Sequence, residues 1–182
     1  MASFKFTYLY EEILDAYHGT HLRTANKILR EQKFEIGQRN EDLFLGDGIY
    51  FYEGSLYRAK WWAQKKYRNQ GIGVLRARIE LGIFLNLNDP NHQDVLIAGR
   101  VPIEKRIGRN CTTTAILNLF AAIHRIDTIR ASIPINPRPE LSDFMIWKMR
   151  RFSAKNPEII LCVKTPERVL DIRMEYRGIP GR

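Results

Sequence analysis

The chain has 182 residues, 45% hydrophobic and 11% aromatic, with 29 Lys and Arg against 20 Asp and Glu for a net charge of +9. That length suits one domain, the apolar content excludes wholesale disorder, and no apolar run is long enough to span a bilayer. The positive excess sets up a field that attracts polyanions, so nucleic acid, acidic proteins and dinucleotide phosphates are the expected partner classes.

Taken from its start, the segment Met1 to Tyr10 lacks a signal peptide's apolar stretch and cleavage site, so a cytoplasmic protein with no membrane contact is expected. Ala16-Tyr17-His18 reads as the end of a short strand. Thr20 is placed to cap a helix over 21–31, where Leu22, Ala25, Ile28 and Leu29 recur at helical spacing. A loop then leads to Leu45-Gly46-Asp47-Gly48-Ile49-Tyr50-Phe51, whose glycines imply tight backbone ahead of a strand. Residues 55–68 predict a basic, aromatic helix capped by Ser55, and Val74 to Leu81 alternates as a strand with one wet face. Asn88 to Arg109 reads as loop-rich, and Leu117, Phe120 and Ile123 mark an amphipathic helix over 112–125. A Pro-rich connection through Pro134, Pro137 and Pro139 precedes a basic segment near 147–155. Glu158 to Val163 reads as a buried strand and Arg168 to Arg173 as a shorter one.

The two cysteines, Cys111 and Cys162, form no Cys-x-x-Cys pair and read as buried thiols in a reducing compartment. No repeat or low-complexity tract interrupts the chain, so residues 1–182 are expected to form one domain. The irregular order of strands and helices, without a Gly-x-Gly-x-x-Gly motif, argues for α+β rather than a doubly wound nucleotide fold.

Three separated elements carry chemistry: Tyr17-His18-Gly19-Thr20, Gly46 to Phe51, and Glu158 opening a strand. Breaking the N-glycosidic bond to nicotinamide passes through an oxocarbenium-like cation, which a carboxylate near the ribose stabilises. An aromatic ring can stack on the flat cationic leaving group, backbone beside a glycine can meet its carboxamide, and a histidine can bond a ribose hydroxyl.

In order and spacing these elements resemble the His-Tyr-Glu branch of the ADP-ribosyltransferase superfamily, which includes poly(ADP-ribose) polymerases and diphtheria-type toxins. The similarity covers 17–63 and 156–172 and is greatest to small bacterial toxin-type members. It implies an ADP-ribosyltransferase-like fold of two packed, mostly antiparallel sheets with peripheral helices. The co-substrate it implies is NAD⁺, with no metal. By position, His18, Tyr50 and Glu158 would be catalytic, and His18, Gly19, Thr20, Tyr50 and Trp61 would bind NAD⁺. Gly19 backbone would grip the carboxamide, Thr20 would add a hydroxyl near the adenosine side, and Tyr50 would stack on nicotinamide. Trp61 would supply a second aromatic, and Glu158 would hydrogen-bond the ribose. Arg58 stands where the polymerases carry a small hydroxyl residue. Transfer of single ADP-ribose units is expected rather than chain elongation.

For the acceptor, Phe144 to Lys155 interleaves basic residues with Trp147 and Phe152, which suits RNA or single-stranded DNA. A protein acceptor is the alternative. The helix around Lys60 to Arg68 reads instead as an ordinary amphipathic helix with its aromatics in the core. Other readings are an RNA 2′-phosphotransferase, an inactive NAD⁺- or ADP-ribose-binding module, and a metal hydrolase on His18 and His21. An enzyme of this kind in the cytoplasm calls for restraint, so an antitoxin-like or other inhibitory partner is expected, within a toxin–antitoxin or phage-defence system.

Overall fold

The computed structural model describes residues 11–36, 44–107, 112–133 and 158–178. In chain order these form β1 (Glu12–His21), α1 (Leu22–Glu31), β2 (Ile49–Glu53), α2 (Leu56–Lys66), β3 (Ile72–Glu80), β4 (Phe84–Asn86), α3 (Pro90–Ile107), α4 (Thr113–His124), β5 (Thr128–Ile133), β6 (Glu158–Val163) and β7 (Val169–Gly178). The seven strands make one sheet in the order β4-β5-β6-β2-β1-β3-β7. Every junction is antiparallel except β4–β5, which is parallel.

Among the described residues one mixed α/β sheet therefore stands where two packed sheets were expected. The alternation in β6 shows the physical reason. Ile160 and Cys162 enter one apolar cluster, with Leu96, Leu117 and Phe120 from α3 and α4. Leu161 and Val163 enter the other, with Ala25 and Ile28 from α1 and Phe34. Helices thus cover both faces, and a sheet so covered needs no second sheet against it. Each fully buried Leu, Ile or Phe contributes roughly 1.5–3 kcal/mol, more than a typical hydrogen bond at about 1 kcal/mol.

Local chemistry sets several boundaries differently from the sequence expectation. Thr20 does not cap α1; it lies inside β1 at 4% exposure. The cap is His21, whose Nδ1 accepts the Arg23 N–H at 3.2 Å. Ser55 does cap α2, accepting the Arg58 N–H at 3.3 Å. The stretch expected to be loop-rich is α3, started by Asp89, whose carboxylate accepts the Asn91 N–H at 2.8 Å. Pro90 sits at its first position, where its missing N–H costs nothing.

α2 packs over β1 and β3. A Cβ on Gly19 would lie 1.9 Å from the Ala59 carbonyl oxygen, so glycine is what lets the helix approach the strand this closely. Only Ala59 and Ala63 of α2 are buried, so its aromatic side chains do not enter the core. That reverses the sequence expectation for this helix. The reason is spatial: the approach at Gly19 leaves room for methyl groups and nothing larger.

Candidate active site

The sheet parts in its middle. The β1–β2 ladder holds two pairs, Ala16↔Glu53 and Tyr17↔Tyr52. The β1–β3 ladder runs on through His21↔Ile72. On its other side β2 stays paired with β6 over Ile49–Tyr52. From His18 onward, the edge of β1 that faces β2 carries no ladder.

The His18 ring fills this gap. Its Nδ1 lies 2.8 Å from the Tyr50 carbonyl oxygen. A carbonyl can only accept, so Nδ1 carries the proton and Nε2 the lone pair. Phe34 meets the ring edge-on at 5.2 Å and Phe51 lies 5.6 Å away. Burial lowers the His18 pKa, outweighing the Tyr50 carbonyl, which favours the charged form. His18 is therefore a neutral imidazole at neutral pH.

Tyr50 is anchored by its hydroxyl, which donates to the Gly46 carbonyl at 2.7 Å and accepts the Leu45 N–H at 3.0 Å. Gly46 takes a φ of +82°, a left-handed conformation suited to glycine. Lys164 and Asn118 pin the same turn. Lys164 Nζ donates to the Leu45 and Asp47 carbonyls at 2.8 and 2.6 Å, and Asn118 Oδ1 accepts the Asp47 N–H at 2.8 Å. Burial pushes the Tyr50 phenol pKa well up, so it stays protonated. Its ring is half-buried beside Phe44 at 6.1 Å.

Glu158, the first residue of β6, is buried at 9% exposure. Burial raises its pKa, and the Arg58 guanidinium, which pairs with its Oε1, pulls it back down. Arg58 is fixed in turn by the capped first turn of α2. Tyr52, two residues beyond Tyr50 and so on the same face of β2, has its phenol pushed up to about 12 by burial and the Glu158 charge. These groups line an open cleft of about 350 Å³, with Ser55, Tyr57 and Ile159. Trp61 lies one turn further along α2, its ring 5.8 Å from the Arg58 guanidinium and 4.8 Å from Lys65 Nζ.

The strands bearing His18, Tyr50 and Glu158 are thus neighbours, in the order β6-β2-β1. Register sets their spacing. Tyr52 pairs with Ile160, so Glu158 sits past the end of β2. His18 is level with Phe51, about 10 Å along the strand direction from Glu158. Glu158, Tyr50 and Tyr52 share one face, together with Gly19 and α2. The His18 ring lies on the other face, at the gap, and Thr20 is buried on that same side. The structure therefore groups Glu158, Arg58, Tyr52 and, through Arg58, Trp61. It joins His18 to Tyr50 through backbone, and it does not bring Thr20 to Glu158.

Sequence reasoning missed Tyr52 and the anchoring by Lys164 and Asn118. The period of two from Tyr50 was the available signal for Tyr52. Neither Lys164 nor Asn118 carried any local signal. The expected acceptor segment 144–155 and Cys111 lie outside the described residues. His21 caps α1 on an opposite-facing position from His18, so the two do not share a metal. Among the described residues no helix is long and apolar enough to cross a membrane.

No family model matches the chain, and no solved structure does. One relative is similar. It is the uncharacterized protein MJ0359 of Methanocaldococcus jannaschii, 26% identical along an alignment 175 positions long that covers 82% of this chain and 81% of that protein.

Proposed function

We propose that the chain is an NAD⁺-dependent ADP-ribosyltransferase of ADP-ribosyltransferase-like fold that moves single ADP-ribose units. The observation that carries this reading is the adjacency of three motif-bearing strands, distant in sequence, around a gap in the sheet and a cleft ending at Glu158. One feature supports NAD⁺ as the co-substrate. The unladdered β1 edge at His18-Gly19 offers backbone to a carboxamide.

In the reaction the bond between nicotinamide and ribose C1′ breaks, and nicotinamide leaves with the electron pair. An acceptor nucleophile then bonds C1′ and gives up its proton. Ionised Glu158 stabilises the positive charge developing on the sugar. Arg58 opposes the burial that raises the Glu158 pKa, and must yield room as the ribose enters. The same Arg58–Glu158 pairing favours a second reading, an NAD⁺- or ADP-ribose-binding module in which the carboxylate is neutralised.

Turnover separates the two. Nicotinamide release from labelled NAD⁺ is measured for the wild type and for Glu158→Gln, with RNA, single-stranded DNA or cell protein as acceptor. A loss of roughly 100- to 1000-fold in the variant, with NAD⁺ affinity retained, is expected for electrostatic stabilisation of a transition state. Binding without turnover in the wild type selects the binding module. Undiminished turnover in the variant removes Glu158 from the chemistry.

A further inference from the structure

α2 contains no acidic residue and turns its aromatic side chains outward. Tyr57 is 70% and Trp62 41% exposed. Tyr57–Trp61, Arg58–Trp62 and Trp61–Lys65 are all four apart, so these five side chains form one continuous ridge on the helix surface. Cations lie over or beside aromatic rings along the same region. Lys65 Nζ is 4.8 Å from the Trp61 ring centre, Lys60 Nζ 4.0 Å from that of Tyr176, and the Arg58 guanidinium 5.9 Å from that of Tyr57. Of the basic residues on α2, only Arg58 meets a carboxylate among the described residues. The ridge ends in the Glu158 cleft, since Tyr57 and Arg58 line both.

We infer that this outer ridge of α2 binds single-stranded nucleic acid and leads it to the Glu158 cleft as the acceptor. The acceptor role rests on the transferase reading; the binding does not. Exposed flat rings beside lysines that meet no carboxylate among the described residues match a chain of flat bases on a polyanionic backbone. No acidic residue on α2 offsets its cations, and the net charge of +9 adds long-range attraction for phosphate. A duplex hides its base faces and would use only the cations.

The test is fluorescence anisotropy with a short fluorescein-labelled single strand, its duplex form and phosphatidylserine vesicles, all without NAD⁺. The single strand should bind more tightly than the duplex. Trp62→Ala should weaken it about fivefold or more, as expected for loss of one stacked base. Lys65→Glu with Lys66→Glu should flatten the log–log salt dependence by about 1.4, or roughly 0.7 per lost phosphate contact. Glu158→Gln, which frees Arg58 at the end of the ridge, should bind the strand at least as tightly as the wild type. That result stands even if the wild type never turns over NAD⁺, so failure of the chemistry and failure of the surface are told apart. Equal binding of single strand and duplex, an unchanged affinity in Trp62→Ala, or retention on vesicles but not by the strand would each overturn the inference.

Discussion

Glu158 experiences two opposed influences, and their balance is measurable. Its burial favours the neutral acid, and the adjacent guanidinium favours the carboxylate, with burial the larger effect. If turnover needs the ionised form, the rate falls by about tenfold per pH unit as pH drops below the raised pKa. The acidic limb of the pH–rate profile for nicotinamide release should therefore lie above the ordinary glutamate value of 4.5. Arg58→Gln removes the one cation that opposes burial, so the limb should move further up in pH while the plateau changes less. An unmoved limb would show that Arg58 does not control this carboxylate. Individual residues were only partly readable from sequence. His18, Tyr50 and Glu158 could be named because short motifs carry them. The partner of Glu158 could not, because it comes from a helix some hundred positions away, and nothing local to Arg58 signals a buried carboxylate.

At the scale of elements, caps were legible in part: Ser55 was, the switch from Thr20 to His21 was not, and packing was not. Ser55 starts α2 as expected. Asp89-Pro90 starts α3 by the same kind of local chemistry, in a stretch that read as loop-rich, and the helix persists through Pro102 with Leu96 and Ile103 buried. The outward face of α2 was misjudged because aromatic content suggests a core, whereas the depth available is set by a strand elsewhere in sequence. That depth is a prediction in itself. Gly19→Ala would drive a methyl group into the Ala59 carbonyl, a backbone atom that cannot swing aside. A cost of about 1–3 kcal/mol is expected for such overpacking. Thermal unfolding should shift down by roughly 2–4 °C per kcal/mol for a chain of this size. Because α2 carries Arg58, the same variant should lose turnover beyond what its stability loss explains. A wild-type melting temperature in Gly19→Ala would mean that α2 does not sit on the strand so closely.

For the whole molecule, the decisive feature is a sheet that is continuous at both ends and open between β1 and β2. An open ladder leaves backbone groups without strand partners, and His18 meets one of them by donating to the Tyr50 carbonyl. The motif made His18 visible in sequence, while its task as a wedge in the gap depends on Phe34 and Phe51 packing around it. This couples the fold to pH. The folded pKa of His18 lies below its ordinary value of 6.5, so below about pH 6.5 the unfolded chain binds a proton that the folded chain refuses. The stabilisation is fully present above 6.5 and is lost as pH falls toward the depressed folded value, at no more than about 1.4 kcal/mol per pH unit. His124, also lowered by burial, adds to the same trend. His18→Asn retains a side-chain donor for Tyr50 and cannot titrate. Urea unfolding at about pH 7.5 and about pH 5.5 should therefore show a smaller loss of stability on acidification in His18→Asn than in the wild type. An equal loss in both would mean that the imidazole in the gap stays free to take up a proton, and that the parting of β1 from β2 is held by something other than a neutral His18.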